Sequence, residues 1–176
     1  MLNVPESYDF DDKEVVLETK TQFELECLVN GEVMPIEEAS DSMFAHKLMG
    51  DGIMIRPSDG VVVAPCDGVI SMVYPTKHAI GITIDDNTQI LIHFGTDSAK
   101  LNGKGFELLV KPNQKVKAGD VLWNADLTYI KENALDENII VVFTKIKDGA
   151  ELEKKYGKMQ CHDMMLKGKG INGYNV

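Results

Sequence analysis

The chain has 176 residues, 44% of them hydrophobic, with ordinary charge content, which suits one domain with a real core and excludes a disordered chain. A formal charge of −10 disfavours nucleic acid and anionic membrane as main partners and favours basic ones. No apolar run approaches the ~20 residues of a membrane helix. The opening M-L-N-V-P-E-S-Y-D-F-D-D lacks the basic and apolar regions of a signal peptide, so a cytoplasmic protein without membrane insertion is expected. Cys27, Cys66 and Cys161 are odd in number and show no C-x-x-C spacing, which argues against a disulfide framework or a zinc knuckle.

Residues 1–27 are acidic and weakly patterned, and are expected as an N-terminal arm or as edge strands, with Val15–Glu26 the candidate stretch. The ordered domain is expected over 28–167, starting with a short strand at Leu28–Val33, and 168–176 is expected as a tail. Ser40 or Asp41 can cap one helical turn that Gly50 ends. From Ile53 to Tyr74 the pattern is β, with Pro57-Ser58-Asp59-Gly60 and Pro65-Cys66-Asp67-Gly68 as turns that begin with Pro and end with Gly. After Ser98 come short strands at Phe106–Val110 and Val121–Trp123, an amphipathic helix over Asp126–Leu135 and a buried strand over Asn138–Ile146. A second brief helix is expected over Ala150–Tyr156 and a closing strand within Met159–Leu166. Many short strands at this spacing predict an all-β fold, an antiparallel β-sandwich or distorted barrel with short helical segments.

The stretch Thr76–Ser98 organises the rest. Two runs rich in Ile and Thr flank Asp85-Asp86-Asn87, which reads as a β-hairpin. Alternation puts Gln89, Leu91 and His93 on one face and Ile90, Ile92 and Phe94 on the other. A two-residue loop sets His78 opposite His93, and a four-residue loop sets Ile80 there with His78 on the diagonal. An odd-length loop separates the histidines, so an even register is expected, with Thr76, His78, Leu91 and His93 on one face. A pair of imidazoles there can relay a phosphoryl group, form half a zinc site, or act as acid and base, and spacing does not choose among these.

The motifs choose. I-H-F-G-T-D-S follows T-x-H-A-I, with F-A-x-K-x-x-G-D-G-I-x-I-x-P and V-x-A-P-x-D-G upstream and L-x-G-x-G-F and V-x-x-G-D downstream. This set, from about Leu28 to Ile146, resembles the glucose-type IIA family of the bacterial sugar phosphotransferase system. The resemblance implies that His93 is the phosphorylated histidine, His78 the neighbour that supports transfer, and Thr76 the hydroxyl that orients His78. It implies an apolar docking ring of Met43, Phe44, Leu48, Met49, Tyr74, Ile80 and Leu91, with Asp41 and Asp97 meeting a basic partner surface. It implies HPr as phosphoryl donor and a IIB domain of a sugar permease as acceptor, with no cofactor required. It also implies a zinc half-site at His78 and His93 that a partner carboxylate completes. The alternative reading is a regulatory module whose binding of permeases or metabolic enzymes would be switched by phosphorylation at His93. A zinc peptidase would need H-x-H where this chain has His93-Phe94-Gly95, and a biotinyl or lipoyl carrier would need a hairpin-tip lysine. His46 and His162 match no functional position and are expected to be surface or structural.

Overall fold

Residues 19–171 are the part of the chain that this computed structural model describes; the expectations for 1–18 and 172–176 lie outside it. In chain order the strands are β1 (Thr19–Glu26), β2 (Gly31–Pro35), β3 (Gly52–Pro57), β4 (Val61–Val63), β5 (Gly68–Val73), β6 (Ala79–Asp85) and β7 (Thr88–Thr96). They continue as β8 (Phe106–Leu108), β9 (Lys115–Val116), β10 (Val121–Ala125), β11 (Asp136–Lys145), β12 (Glu151–Lys154), β13 (Gly157–Met159) and β14 (Met164–Ile171). Two short helices, α1 (Ser42–Ala45) and α2 (Leu127–Asn133), interrupt them. Each starts where an aspartate accepts from a main-chain N–H of the first turn: Asp41 from Met43 and Asp126 from Tyr129. None of the described helices is long and apolar enough to cross a membrane.

Eight antiparallel strands form the large sheet, in the order β13-β2-β3-β11-β7-β6-β5-β9. Two three-stranded sheets, β1-β14-β12 and β4-β10-β8, supply the opposing layer of an all-β sandwich. The main core lies between them: Ile53, Ile80, Ile92, Phe94, Ile139 and Val141 of the large sheet share one cluster with Leu25, Val62, Trp123 and Leu166 of the small ones. The other face of the large sheet carries a second, smaller cluster of Ile36, Phe44, Met54, Ala79, Leu91, Ile140 and Val142. β11 feeds both clusters, which is why Ile139–Phe143 is an unbroken apolar run rather than an alternating one.

Three expectations are corrected. The hairpin takes the odd register: Ala79 lies opposite His93, Ile80 opposite Ile92 and Gly81 opposite Leu91, with an irregularity between Thr83 and Asp85. An extra residue, Ile84, sits between the pairs Thr83–Gln89 and Asp85–Thr88, so a bulge resets the count that loop length alone had fixed. Small Ala79 and Gly81 then sit beside His93 and Leu91, and the large Ile80–Ile92 and Ile82–Ile90 pairs enter the main core.

The helix expected over Ala150–Tyr156 is strand β12. Glu151 and Glu153 lie opposite Lys169 and Lys167 of β14, Lys169 forms an ion pair with Glu153, and Leu152 packs against the main core. Cross-strand charge pairing and burial of one face outweigh the helix preference of a short Leu-Glu-Lys run.

The edge strand expected within Val15–Glu26 is β1, at the edge of its sheet, whereas the tail expected from Gly168 begins as strand. β1 pairs with β14 from Thr19–Ile171 to Glu26–Met164, so residues before Leu28 and the start of the expected tail, Gly168–Ile171, belong to one sheet. The closing strand expected within Met159–Leu166 is met by the start of β14, and Gly168 and Gly170 hid its second half; glycine is what fits there, since a Cβ on Gly168 would lie 2.1 Å from the Phe23 ring.

Candidate functional site

His93 lies mid-strand on β7, half-buried, on the face of the large sheet that carries the smaller cluster. His78 is only 7% exposed and precedes β6 in a tight turn. The two rings meet edge to face with centroids 4.8 Å apart. They meet despite the odd register because His78 is not on the strand and does not obey its alternation. Lys77 is left-handed at φ 59, and its N–H donates to the Tyr74 carbonyl at 2.8 Å, which closes the turn. The Trp123 indole Nε1 donates to the Lys77 carbonyl at 2.8 Å, and the Phe94 N–H donates to the His78 carbonyl at 2.7 Å. The main chain on both sides of His78 is thus tied to the core.

The rings are held as well. Thr76 Oγ1 lies 2.7 Å from His78 Nδ1, which leaves Nε2 as the nitrogen available to a ligand. Tyr74 stacks on His78 at 5.4 Å, and the Phe44 ring lies 5.1 Å from that of His93. Burial is the main cause of a His93 pKa pushed down to about 4; neighbouring His78 adds to it, and Asp41 and Asp136 oppose it. Burial also lowers His78. At neutral pH His93 is therefore an uncharged imidazole with a lone pair for nucleophilic attack. The cysteines are poor competitors. Burial pushes Cys66 up to about 12 and raises Cys27 and Cys161, so all three stay as thiols.

Phe44 and Leu91 are buried in the smaller cluster and Tyr74, packed against it, is half-buried; Met43 in α1 and Leu48 and Met49 just after it are exposed. Leu48 is 66% exposed. Asp41 is spent partly on capping α1. Asp97, left-handed at φ 57, follows β7 and is exposed in an ion pair with Lys100 at 3.0 Å. Ile80 does not join this ring. It is fully buried in the main core, on the far side of the sheet, because the odd register puts it opposite Ile92.

Two site residues escaped the sequence reading. Met72, exposed on β5, pairs with Gly81, which pairs with Leu91, so it stands on the histidine face. A bulge between Ile70 and Met72 puts it there, and alternation along β5 gives no hint of it. Asp136 opens β11 opposite Thr96 and bears on His93, but it lies between the expected helix and strand and carried no motif. His46 is the C-cap of α1, and His162 Nδ1 lies 3.3 Å from Glu26 Oε2. Among the described residues no group of three His, Cys, Asp or Glu side chains is arranged to hold a metal ion.

A sequence model described as the phosphoenolpyruvate-dependent sugar phosphotransferase system, EIIA 1, matches residues 23–149. Among solved structures, the glucose permease IIA from Mycoplasma capricolum superposes with a TM-score of 0.79 at 31% identity, covering 82% of this chain and 94% of that one. The matched span runs through both histidines, Thr76 and the apolar rim. The chain belongs to the EIIA 1 family of the sugar phosphotransferase system and is a glucose-type IIA component of it.

Proposed function

We propose that this chain carries a phosphoryl group on His93, taken from phospho-HPr and passed in the cytoplasm to a IIB domain of a sugar permease. The observation that carries this reading is the contact of two imidazoles, one with a pKa near 4 and the other oriented by Thr76, inside an apolar rim. The lone pair of neutral His93 forms the new N–P bond as the donor's N–P bond breaks and the donor imidazole departs with that electron pair. The step runs again toward the acceptor, with His93 as the leaving group. Such transfers pass through a loose transition state in which positioning and charge stabilisation matter most. His78 Nε2–H supplies a hydrogen bond to the equatorial oxygens, and Thr76 on the far nitrogen selects that tautomer.

The exposed Met43, Leu48 and Met49 close over the site when a partner docks and exclude water, which favours transfer over hydrolysis. Asp41 and Asp97 stand at the rim for basic groups of the partner. Incubating the chain with HPr, its kinase, phosphoenolpyruvate and a panel of IIB domains tests the reading. At least one IIB domain is expected to acquire phosphate only when the chain is present. A chain that stays unphosphorylated would sink it.

The same two imidazoles suit half of a tetrahedral zinc site, for which ligand bonds of about 2.0–2.1 Å are needed. A partner carboxylate would complete it, and the transfer chemistry does not use it. Titration calorimetry is expected to show weak zinc binding by the chain alone, strengthened by a docked partner. Tight stoichiometric binding to the lone chain, lost in His93→Ala, would mean that further ligands exist here.

A further inference from the structure

We propose that Asp136 is a positioning residue for the transfer at His93: its carboxylate ties the turn that starts α1, and with it the Phe44 ring, to the strand pair that bears the histidine. The proposal rests on the reading of His93 as the phosphoryl carrier. Asp136 lies opposite Thr96, three residues beyond His93 on β7. Its Oδ1 accepts from Thr96 Oγ1 at 2.8 Å, from the Asn138 N–H at 3.0 Å and from the Thr96 N–H at 3.3 Å. Those three bonds come from β7 and β11 and orient the carboxylate within the strand pair. The second oxygen, Oδ2, accepts from Ser40 Oγ at 3.1 Å, across 96 residues of chain.

Ser40 directly precedes Asp41, the residue that caps α1. A helix of four residues has too few internal hydrogen bonds to hold a position by itself. Phe44 is placed over His93 by its packing in the smaller cluster together with the anchoring of the segment's two ends. Its exit is pinned away from the histidines: Asp51 receives Lys154 Nζ at 2.7 Å and Lys47 Nζ at 3.6 Å, and its carbonyl accepts from the Phe143 N–H at 2.9 Å. Its entrance has, beside the packing of Phe44, the Ser40–Asp136 bond as its side-chain hydrogen bond to β7 and β11 among the described residues. Loss of that link loosens the turn that starts α1 and carries the exposed Met43, so the docking surface is less ordered before a partner arrives.

The charged and titratable groups that bear on His93 are His78 from the β5–β6 turn, Asp41 from the start of α1 and Asp136 from β11. A tie and a charge effect can therefore be separated by choice of variant. Ser40→Ala, at an exposed position, removes the tie and leaves the charge. Asp136→Asn removes the charge, keeps a carbonyl oxygen for Thr96 and Asn138, and keeps an amide that can donate to Ser40 Oγ. Asp136→Ala removes both.

Steady-state transfer from phospho-HPr is the measurement. Ser40→Ala and Asp136→Ala are expected to raise KM for HPr about fivefold, with kcat within about twofold of wild type. Asp136→Asn is expected to recover most of the loss seen in Asp136→Ala. By NMR the His93 titration should move further down in Asp136→Asn and stay in place in Ser40→Ala. A wild-type KM in Ser40→Ala overturns the proposal, as does an Asp136→Asn variant as impaired as Asp136→Ala. Should Asp136→Ala melt far below wild type, Ser40→Ala alone decides. His93→Ala is run in parallel; its phosphorylation would defeat the carrier reading itself, a different failure from that of the tie.

Discussion

His78→Gln is expected to leave His93 fully phosphorylatable while slowing onward transfer to the IIB domain by about 10²-fold, and His93→Ala is expected to abolish phosphorylation. The asymmetry follows from the geometry. In the proposed transfer the His93 nitrogen forms the bond; on neighbouring His78 the Nδ1 side is engaged by Thr76, and the thiols are held protonated. His78 contributes a donor whose direction is set by Thr76 on Nδ1, Tyr74 stacked on its face and its main chain bonded to Phe94. Glutamine retains an N–H but has no ring to stack and no second nitrogen for Thr76. Its donor is no longer aimed in advance, and preorganised donors account for most of this kind of catalysis. Intact mass after incubation with HPr and its kinase measures the first step, and loss of label to a IIB domain measures the second. A phosphorylated His93→Ala chain, or a His78→Gln chain that passes phosphate on at the wild-type rate, contradicts this account.

Removal of the Trp123 side chain is the second large effect. Trp123 is fully buried, packs edge-on against Phe94 at 5.7 Å, and donates its indole N–H to the Lys77 carbonyl. Trp123→Ala is expected to cost ~3–5 kcal/mol of stability through the cavity it leaves. Trp123→Phe keeps much of the volume and isolates the hydrogen bond, with a loss of ~1–3 kcal/mol, because a carbonyl loses its donor. The functional consequence separates this residue from an ordinary core position. The bond to Lys77 holds the left-handed turn that delivers His78 to His93, so Trp123→Phe should slow onward transfer as His78→Gln does, though less. Denaturant midpoints and IIB transfer rates are to be measured on the same samples. A Trp123→Phe protein that is destabilised yet transfers at the wild-type rate would detach the turn from the mechanism.

Other parts of the site differ in how legible they were. The cap of α1 was legible to within one residue, Ser40 or Asp41, because such a side chain before a short apolar turn satisfies a first-turn N–H locally, and the structure uses Asp41. The register could not. Loop length argued for an even count, and the bulge at Ile84, invisible to composition, shifted every pair by one and sent Ile80 into the core. The argument that the histidines share a face used the wrong register, yet they are in contact, because the turn at Lys77 releases His78 from alternation. Asp136 was silent for another reason. It has no periodic neighbour and no motif, and its importance comes from Ser40, which lies far away in sequence.

The sequence by itself determined the all-β class and the family and singled out His78 and His93 as a pair, because alternation, Pro–Gly turns and ordered motifs are local and need no partner strand to be read. Only the tertiary structure decided which strands pair, how β11 serves two cores, that Glu151–Lys154 is extended, and how His78, Phe44 and Asp136 gather around His93. Those outcomes depend on bulges and on contacts between distant residues. There the free energy of burying a face and pairing charges across strands exceeds the few tenths of a kcal/mol per residue, roughly, by which local preferences differ.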